Sequence, residues 1–215
     1  MPHGRDQMDA VAHDLTTRGF AVWNLGYRRL GAPEGGWPGT LDDVVAGIDH
    51  LATLADDGIA IDTQRVIVVG HSAGGHLALW CAHRDADGSY AHRPRRVRAV
   101  AVAGLAPVAD LALADALGVG SDAVAELLGG SFAEQRGLYR MASPMAMLPL
   151  GVPQLIIHGS ADDVLPVALS LGYASAASAA GDNVRFVALA GAGHMDFLDP
   201  SSEAHAVLCS WLDGF

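Results

Sequence analysis

The sequence predicts an α/β fold in which a mostly parallel sheet is covered by helices on both faces. Short β-branched runs alternate along the chain with segments of helical periodicity, and this alternation favours parallel strands joined by helical crossovers. Of the 215 residues, 51% are hydrophobic, so a large core is expected. A chain of this length suits a single domain, predicted here to be residues 1–215 with a small lid or insertion at about 107–148.

The first 69 residues contain two predicted strands and two predicted helices. Apolar residues have helical spacing over 9–18 and again over about 40–56, where Thr40 and Asp43 give a capping-box-like start. Between these helices, residues 20–25 have the composition of a strand. A second strand, at 66–69, is β-branched throughout, so we expect it to be buried on both faces.

The C-terminal half continues the alternation of strands and helices, with a less regular stretch in its middle. The last helix is expected to begin at Asp199-Pro200, an N-cap followed by proline in the first turn, and to end near Leu212. The other predicted elements are a strand at 97–103, short helices at 109–117 and 121–128, a strand at 153–158, a helix at 167–180 and a strand at 184–189.

The most informative stretch is Gly70-His71-Ser72-Ala73-Gly74, which fits the G-x-S-x-G pattern of a nucleophile elbow. It lies between a predicted strand and a helical pattern, as such an elbow requires. The tight turn demands small residues two positions before and after Ser72, and Gly70 and Gly74 satisfy that demand. The alternative interpretation is a glycine-rich turn with a solvent-facing serine.

A serine hydroxyl becomes nucleophilic when a base removes its proton, and the base is usually a histidine oriented by a buried carboxylate. In a parallel sheet such groups lie in the loops beyond the carboxyl ends of the strands. The loops after the last two predicted strands contain Asp162-Asp163 and His194. We expect Ser72, Asp162 and His194 to form a catalytic triad, because their chain order is the one expected for this elbow. Asp162 is preferred over Asp163, which better suits a helix N-cap.

Three further histidines lie near these motifs. His71 and His76 flank the elbow and are expected to pack, although they could contribute to the pocket. His158 ends a predicted strand and is expected to pack or to hydrogen-bond below the loop that carries the acid. No spacing among the histidines resembles a metal site, so we expect neither a metal ion nor another cofactor.

Taken together, the motifs resemble the α/β-hydrolase fold superfamily, and most of all the small bacterial esterases and dipeptidyl-peptidase-like hydrolases related to feruloyl esterases and kynurenine formamidase. The resemblance implies that Ser72 is the nucleophile, Asp162 the acid and His194 the base, with the backbone N–H of Ala73 donating to the oxyanion. The matching stretches cover nearly the whole chain: Tyr27-Arg28-Arg29, Gly35-Gly36-Trp37-Pro38, Gly70-His71-Ser72-Ala73-Gly74-Gly75-His76, His158-Gly159-Ser160-Ala161-Asp162-Asp163 and Gly193-His194-Met195-Asp196.

One family segment, H-G-G-x-W, is missing from this sequence. In the family its backbone amides complete the oxyanion hole, and the resemblance places the start of this chain just past it. We therefore expect an N-terminally truncated α/β-hydrolase fold and a misassigned or truncated start at Met1. Without the second oxyanion donor, kcat would fall ~10²–10³-fold. A strand missing from the middle of the sheet would leave open edges that favour association into a homo-oligomer.

The expected function is that of a serine hydrolase that cleaves a carboxylic ester or a related acyl bond through an acyl-enzyme. One alternative is peptidase or aryl-formamidase activity on the same triad, and another is an inactive fold that acts only by binding. We expect a small-molecule ester, amide or peptide as the substrate, whose identity the sequence leaves open. A net charge of −11 argues against a nucleic-acid partner. Without a signal peptide or an apolar run of membrane-spanning length, and with Cys81 and Cys209 in predicted helices, we expect a cytoplasmic protein and no membrane partner.

Overall fold

A parallel sheet of four strands forms the centre of the computed structural model, which describes residues 4–83 and 95–215. Each strand pairs in parallel with the next one in sequence, so the carboxyl ends of all four meet at one edge. This sheet confirms the predicted α/β class. In spatial order the strands are β1 (Val66–His71), β2 (Ala99–Leu105), β3 (Gln154–Gly159) and β4 (Val184–Leu189).

Helices cover both faces of the sheet, as predicted. In the described part of the chain they are α1 (Asp9–Thr17), α2 (Gly39–Asp56), α3 (Ala73–Ala82), α4 (Leu111–Ala116), α5 (Ala123–Leu128), α6 (Arg136–Ala142), α7 (Val167–Ala179) and α8 (Glu203–Leu212). Alternate side chains of the central strands point to opposite faces. Leu105 and Leu155 pack in one buried cluster with residues of α1 and α8, whereas Val102 and Ile156 pack in another with residues of α3 and α7.

The strand predicted at 20–25 is not formed, and this prediction is wrong. The segment runs as irregular chain across α2, where the indole N–H of Trp23 donates to the Gly47 carbonyl at 3.1 Å. Leu25 fills the space above the same glycine, since a Cβ added at Gly47 would lie 2.2 Å from Leu25 Cδ1. A strand needs a neighbouring ladder for its backbone groups, and no described strand pairs with this segment.

For the same reason β1 differs from the prediction of a strand buried on both faces. Among the described strands it pairs with β2 alone, so it is an edge strand, and five of its six residues are only partly buried. The central strand β3, by contrast, is buried at all six positions.

The start of one strand and the start of one helix are also shifted from their predicted positions. The strand predicted at 97–103 begins at residue 99, because the N–H groups of Arg96 and Val97 donate to the carboxylate of Asp49 at 2.8 and 3.0 Å rather than to a ladder. The last helix begins at Glu203 instead of Asp199-Pro200, because the Ser202 hydroxyl caps it by accepting from a backbone N–H of its first turn.

The capping box predicted at the start of α2 is replaced by a tertiary contact. Thr40 lies inside the helix, where its hydroxyl donates to the Arg28 carbonyl at 2.6 Å and accepts from the Gly36 N–H at 2.9 Å. Asp43 binds the Arg28 side chain through both carboxylate oxygens, at 2.9 Å to Nε and 2.8 Å to Nη2. These contacts attach the glycine- and proline-rich loop to α2.

The region predicted as a lid or insertion contains α4, α5 and α6, the last of which has no counterpart in the prediction. Apolar side chains of all three helices pack with α2 and α3 in one cluster, which includes Leu111, Leu128 and Tyr139. Its role as a lid and the single-domain assignment stay predictions. Within 4–83 and 95–215, no helix has both the length and the apolar character needed to cross a membrane. Met1, expected above to be a misassigned start, lies outside the described residues.

Candidate active site

Ser72 lies in the sharp turn that joins β1 to α3. Its φ of 56° and ψ of −119° are strained for a residue with a side chain. The turn is possible because Gly70 has no side chain: a Cβ there would lie 2.1 Å from the carbonyl oxygen of Gly74. Gly75 is similarly restricted, because a Cβ added there would lie 2.9 Å from Pro107 Cβ. At Gly74 itself the nearest atom is 4.0 Å away, so the contacts do not require the small residue predicted there.

The structure brings the three predicted triad side chains together at the carboxyl edge of the sheet. His194 Nε2 lies 3.0 Å from Ser72 Oγ, and His194 Nδ1 lies 2.7 Å from Asp162 Oδ2. Because a carboxylate can only accept here, Nδ1 carries the ring proton and Nε2 is left to accept from the serine hydroxyl. The serine is therefore hydrogen-bonded to a base, and the base is hydrogen-bonded to an acid that orients it.

Backbone bonds between two loops bring Asp162 and His194 together. The loop after β3 carries Asp162, and the loop after β4 carries His194. Ser160 N–H donates to the Leu189 carbonyl at 2.8 Å, and Ala161 N–H donates to the Ala192 carbonyl at 3.0 Å. The parallel register of β3 and β4 thus continues past the strand ends and fixes the spacing of the two side chains.

Asp162 is enclosed, with no exposed side-chain surface, whereas the neighbouring Asp163 is exposed. The Oδ1 of Asp162 accepts from the N–H groups of Val164 and Leu165 at 2.9 and 2.7 Å. Burial alone would raise the pKa of this carboxyl, but the hydrogen bonds from Leu165, His194 and Val164 outweigh burial and hold the pKa below its ordinary value. The carboxylate is therefore charged at neutral pH and can stabilise an imidazolium.

His71 packs directly against the His194 ring, with 4.6 Å between the two centroids. Since a carbonyl only accepts, the Nε2–H of His71 donates to the backbone oxygen of His194 at 2.8 Å. Burial lowers the pKa of His71 to about 4, so the ring is neutral at physiological pH. His71 thus holds the loop of His194 without placing a second positive charge beside it. Its position next to Ser72 at the end of a strand is the sequence signal for this contact, although the sequence alone predicts only packing or a place in the pocket.

Ala73 is the first residue of α3, and the first N–H groups of a helix have no acceptor within the helix. Its N–H follows the nucleophile directly, and the α3 dipole adds partial positive charge at the same place. This arrangement suits the oxyanion role predicted for Ala73, which stays a prediction.

One cluster of metal-ligand types lies elsewhere in the described structure, where Asp14, His205 and Cys209 hold their donor atoms within 4.8 Å of one another. His205 Nε2 lies 2.6 Å from Asp14 Oδ2, and Arg18 Nε donates to that same oxygen at 2.5 Å. His205 Nδ1 is buried and has no partner among the described residues. An ion bound at Nε2 would move the ring proton to Nδ1, where no described group accepts it, so these residues fit a metal poorly.

Comparison with known proteins agrees with this architecture. The BD-FAE family model matches residues 3–176. No curated protein matches the chain. A bifunctional GH43-CE protein from Bacteroides eggerthii superposes with a TM-score of 0.79 at 20% identity, over 96% of this chain and 29% of that one.

Two esterases superpose over more of their own length. The propionate-bound esterase Est2 from Thermogutta terrifontis has a TM-score of 0.75 at 23% identity, covering 98% of this chain and 76% of its own. The carboxylesterase Cest-2923 from Lactobacillus plantarum has a TM-score of 0.75 at 18% identity, covering 97% and 79%. At these identities the superpositions show a shared fold. The family match over most of the sequence shows, in addition, that the chain belongs to BD-FAE, an α/β-hydrolase family, as its motifs predict.

Proposed function

We propose that this protein is a serine hydrolase that cleaves carboxylic esters through an acyl-enzyme. The observation that carries the proposal is the uninterrupted sequence of contacts from Ser72 Oγ to His194 Nε2 at 3.0 Å and from His194 Nδ1 to Asp162 Oδ2 at 2.7 Å. The fold shared with Est2 and Cest-2923, which are named as an esterase and a carboxylesterase, supports the choice of an ester over other acyl compounds.

In this proposal Ser72 Oγ attacks the ester carbonyl while its proton passes to His194 Nε2. The imidazolium that forms is stabilised by the charged Asp162, and the developing oxyanion accepts from the Ala73 N–H. The tetrahedral intermediate expels the alkoxide, which takes the proton from His194 Nε2, and leaves the acyl group on Ser72. Water then loses a proton to His194 as it attacks the acyl-enzyme, and the acid is released as Ser72 Oγ regains a proton.

Two exposed apolar side chains lie close in sequence to members of the triad. Val164, two residues after Asp162, is 51% exposed, and Met195, which follows His194, is 48% exposed. Exposed apolar side chains at a reactive site suit an uncharged acyl or alkyl group of a substrate. We therefore expect short-chain, uncharged esters to be better substrates than anionic ones.

Labelling with a fluorophosphonate tests the proposal, because this reagent reacts with a serine only when the serine is activated. Wild-type protein should be labelled and should hydrolyse a short-chain p-nitrophenyl ester, and Ser72→Ala should do neither. Asp162→Asn should lower kcat by about 10⁴-fold, because the amide favours the wrong tautomer of His194. The proposal fails if wild type is not labelled, or if folded Ser72→Ala is labelled at the same rate.

The same assays separate the alternative functions. Turnover of an N-formyl arylamine or a peptide in preference to the p-nitrophenyl ester would favour the formamidase or peptidase activity. Absence of both labelling and turnover would favour an inactive fold that acts by binding. The cytoplasmic location, the cofactor-free reaction and assembly into a homo-oligomer stay predictions.

A further inference from the structure

A second imidazole, in addition to that of His194, lies close to the Asp162 carboxylate. His158, in β3, has no exposed surface, and its Nε2 lies 3.2 Å from Asp162 Oδ2 and 3.0 Å from the Leu165 carbonyl oxygen. Its Nδ1 lies 2.7 Å from the hydroxyl of Ser170, which is also fully buried. A buried imidazole with polar partners on both ring nitrogens has its orientation fixed.

These partners determine which nitrogen of His158 carries the proton. Both groups that face Nε2, the Leu165 carbonyl and the Asp162 carboxylate, can only accept, so the proton is on Nε2. Nδ1 is then an acceptor, and the Ser170 hydroxyl donates a hydrogen bond to it. Burial lowers the pKa of His158, which keeps the ring neutral in this tautomer.

We propose that His158 is a positioning residue, which directs the Asp162 carboxylate toward His194 through its Nε2–H. The inference rests on the proposed function and deepens it. Leu165 completes the arrangement, because its N–H donates to Asp162 Oδ1 at 2.7 Å while its carbonyl accepts from His158. Asp162 Oδ2 thus lies between two imidazole nitrogens, at 2.7 Å from His194 and 3.2 Å from His158.

The consequence for His194 follows from the geometry of the carboxylate. Backbone N–H groups hold Oδ1 of Asp162. Rotation about the Cβ–Cγ bond of Asp162 would still move Oδ2 out of line with His194 Nδ1. The Nε2–H of His158, with its nitrogen 3.2 Å from Oδ2, attracts this oxygen and opposes that rotation. Loss of this donor should weaken the orientation of His194 and hence the activation of Ser72, without changing the surface that contacts substrate.

The first test compares His158→Leu, which removes the donor, with His158→Gln, whose side-chain amide can supply an N–H near Nε2. We expect His158→Leu to lower kcat and the fluorophosphonate labelling rate about tenfold with KM unchanged, because Asp162 Oδ2 loses its electrostatic contact with the polar N–H that lies 3.2 Å away. His158→Gln should recover most of this loss. Thermal unfolding of each variant shows whether it is folded.

A double-mutant cycle shows whether His158 acts through Asp162. In an Asp162→Asn background, His158→Leu should have no further effect on the labelling rate. An equal loss in both backgrounds, an unchanged rate in folded His158→Leu, or a loss that appears in KM alone would overturn the inference.

A second measurement does not depend on catalysis. ¹⁵N NMR of the histidine rings should show the Nε2–H tautomer for His158, and the hydrogen-bonded Nδ1 proton of His194 should shift in His158→Leu. A proton on Nδ1 of His158, or an unchanged His194 proton, would overturn the positioning role. If wild type is not labelled, the proposed function fails, and these spectra still decide whether His158 orients Asp162.

Discussion

Gly159 controls the distance between the loops that carry Asp162 and His194, and replacing it with alanine tests the importance of that distance. Gly159 ends β3, and a Cβ at this position would lie 2.1 Å from the carbonyl oxygen of Ala192. Real Cβ contacts are essentially never shorter than 3.0 Å, so the two backbones must separate by about 0.9 Å. The Ala161 N–H bond to the same carbonyl, 3.0 Å long, would be stretched or broken.

This displacement predicts the size of the effect. Ala192 is two residues before His194, so the shift is transmitted to the contact between His194 and Asp162, which is 2.7 Å long. A misplacement of about 1 Å at a catalytic group costs about 10²-fold in rate. The forced overpacking should also lower the free energy of unfolding by about 1–3 kcal/mol.

The assay is the rate of fluorophosphonate labelling together with kcat for a p-nitrophenyl ester, and thermal unfolding measures stability. Gly172→Ala is the matched control, because its Cβ position in α7 is open and alanine has the higher helix propensity. The control should retain the wild-type rate and gain about 0.5–1 kcal/mol. If Gly159→Ala folds and reacts at the wild-type rate, the spacing of the two loops does not control the activation of Ser72.

Two further predictions concern histidines near the elbow. His71→Phe should keep the ring packing but lose the N–H donated to the His194 carbonyl, and should lower kcat about tenfold, whereas a folded variant with unchanged kcat would contradict the anchoring role. His76, whose Nε2–H donates to the Ala142 carbonyl at 2.8 Å, is fully buried, and burial lowers its pKa to about 4 from 6.5. Between those values the unfolded chain binds a proton that the folded chain does not, so stability is complete above pH 6.5 and falls as the pH decreases. His76→Gln should therefore remove about 2 kcal/mol of the stability difference between pH 7.5 and 5 in denaturant titrations, and an unchanged difference would show that His76 is not the group responsible.

The structure also shows why some local predictions were wrong. Residues 20–25 have the composition of a strand, but a strand exists only where another strand accepts its backbone hydrogen bonds. Thr40 and Asp43 have the spacing of a capping box, yet both bind Arg28 in the preceding loop. Thr40 donates to the Arg28 carbonyl and Asp43 accepts from the Arg28 guanidinium, and a capping box would leave both of these Arg28 groups without that partner. Neither outcome could be derived from the local pattern, since each depends on residues distant in the sequence.

The sequence by itself determined the α/β class, four of the five predicted strands and the candidate residues Ser72, Asp162 and His194, because periodicity, small residues at a tight turn and the order of the motifs can be read directly from the chain. Only the tertiary structure decided the distances at which these side chains meet, and that His71 contacts the His194 ring and His158 the Asp162 carboxylate. Side-chain orientation and distance depend on how the loops after β3 and β4 are held together, and that register is set by packing and hydrogen bonds across the whole sheet.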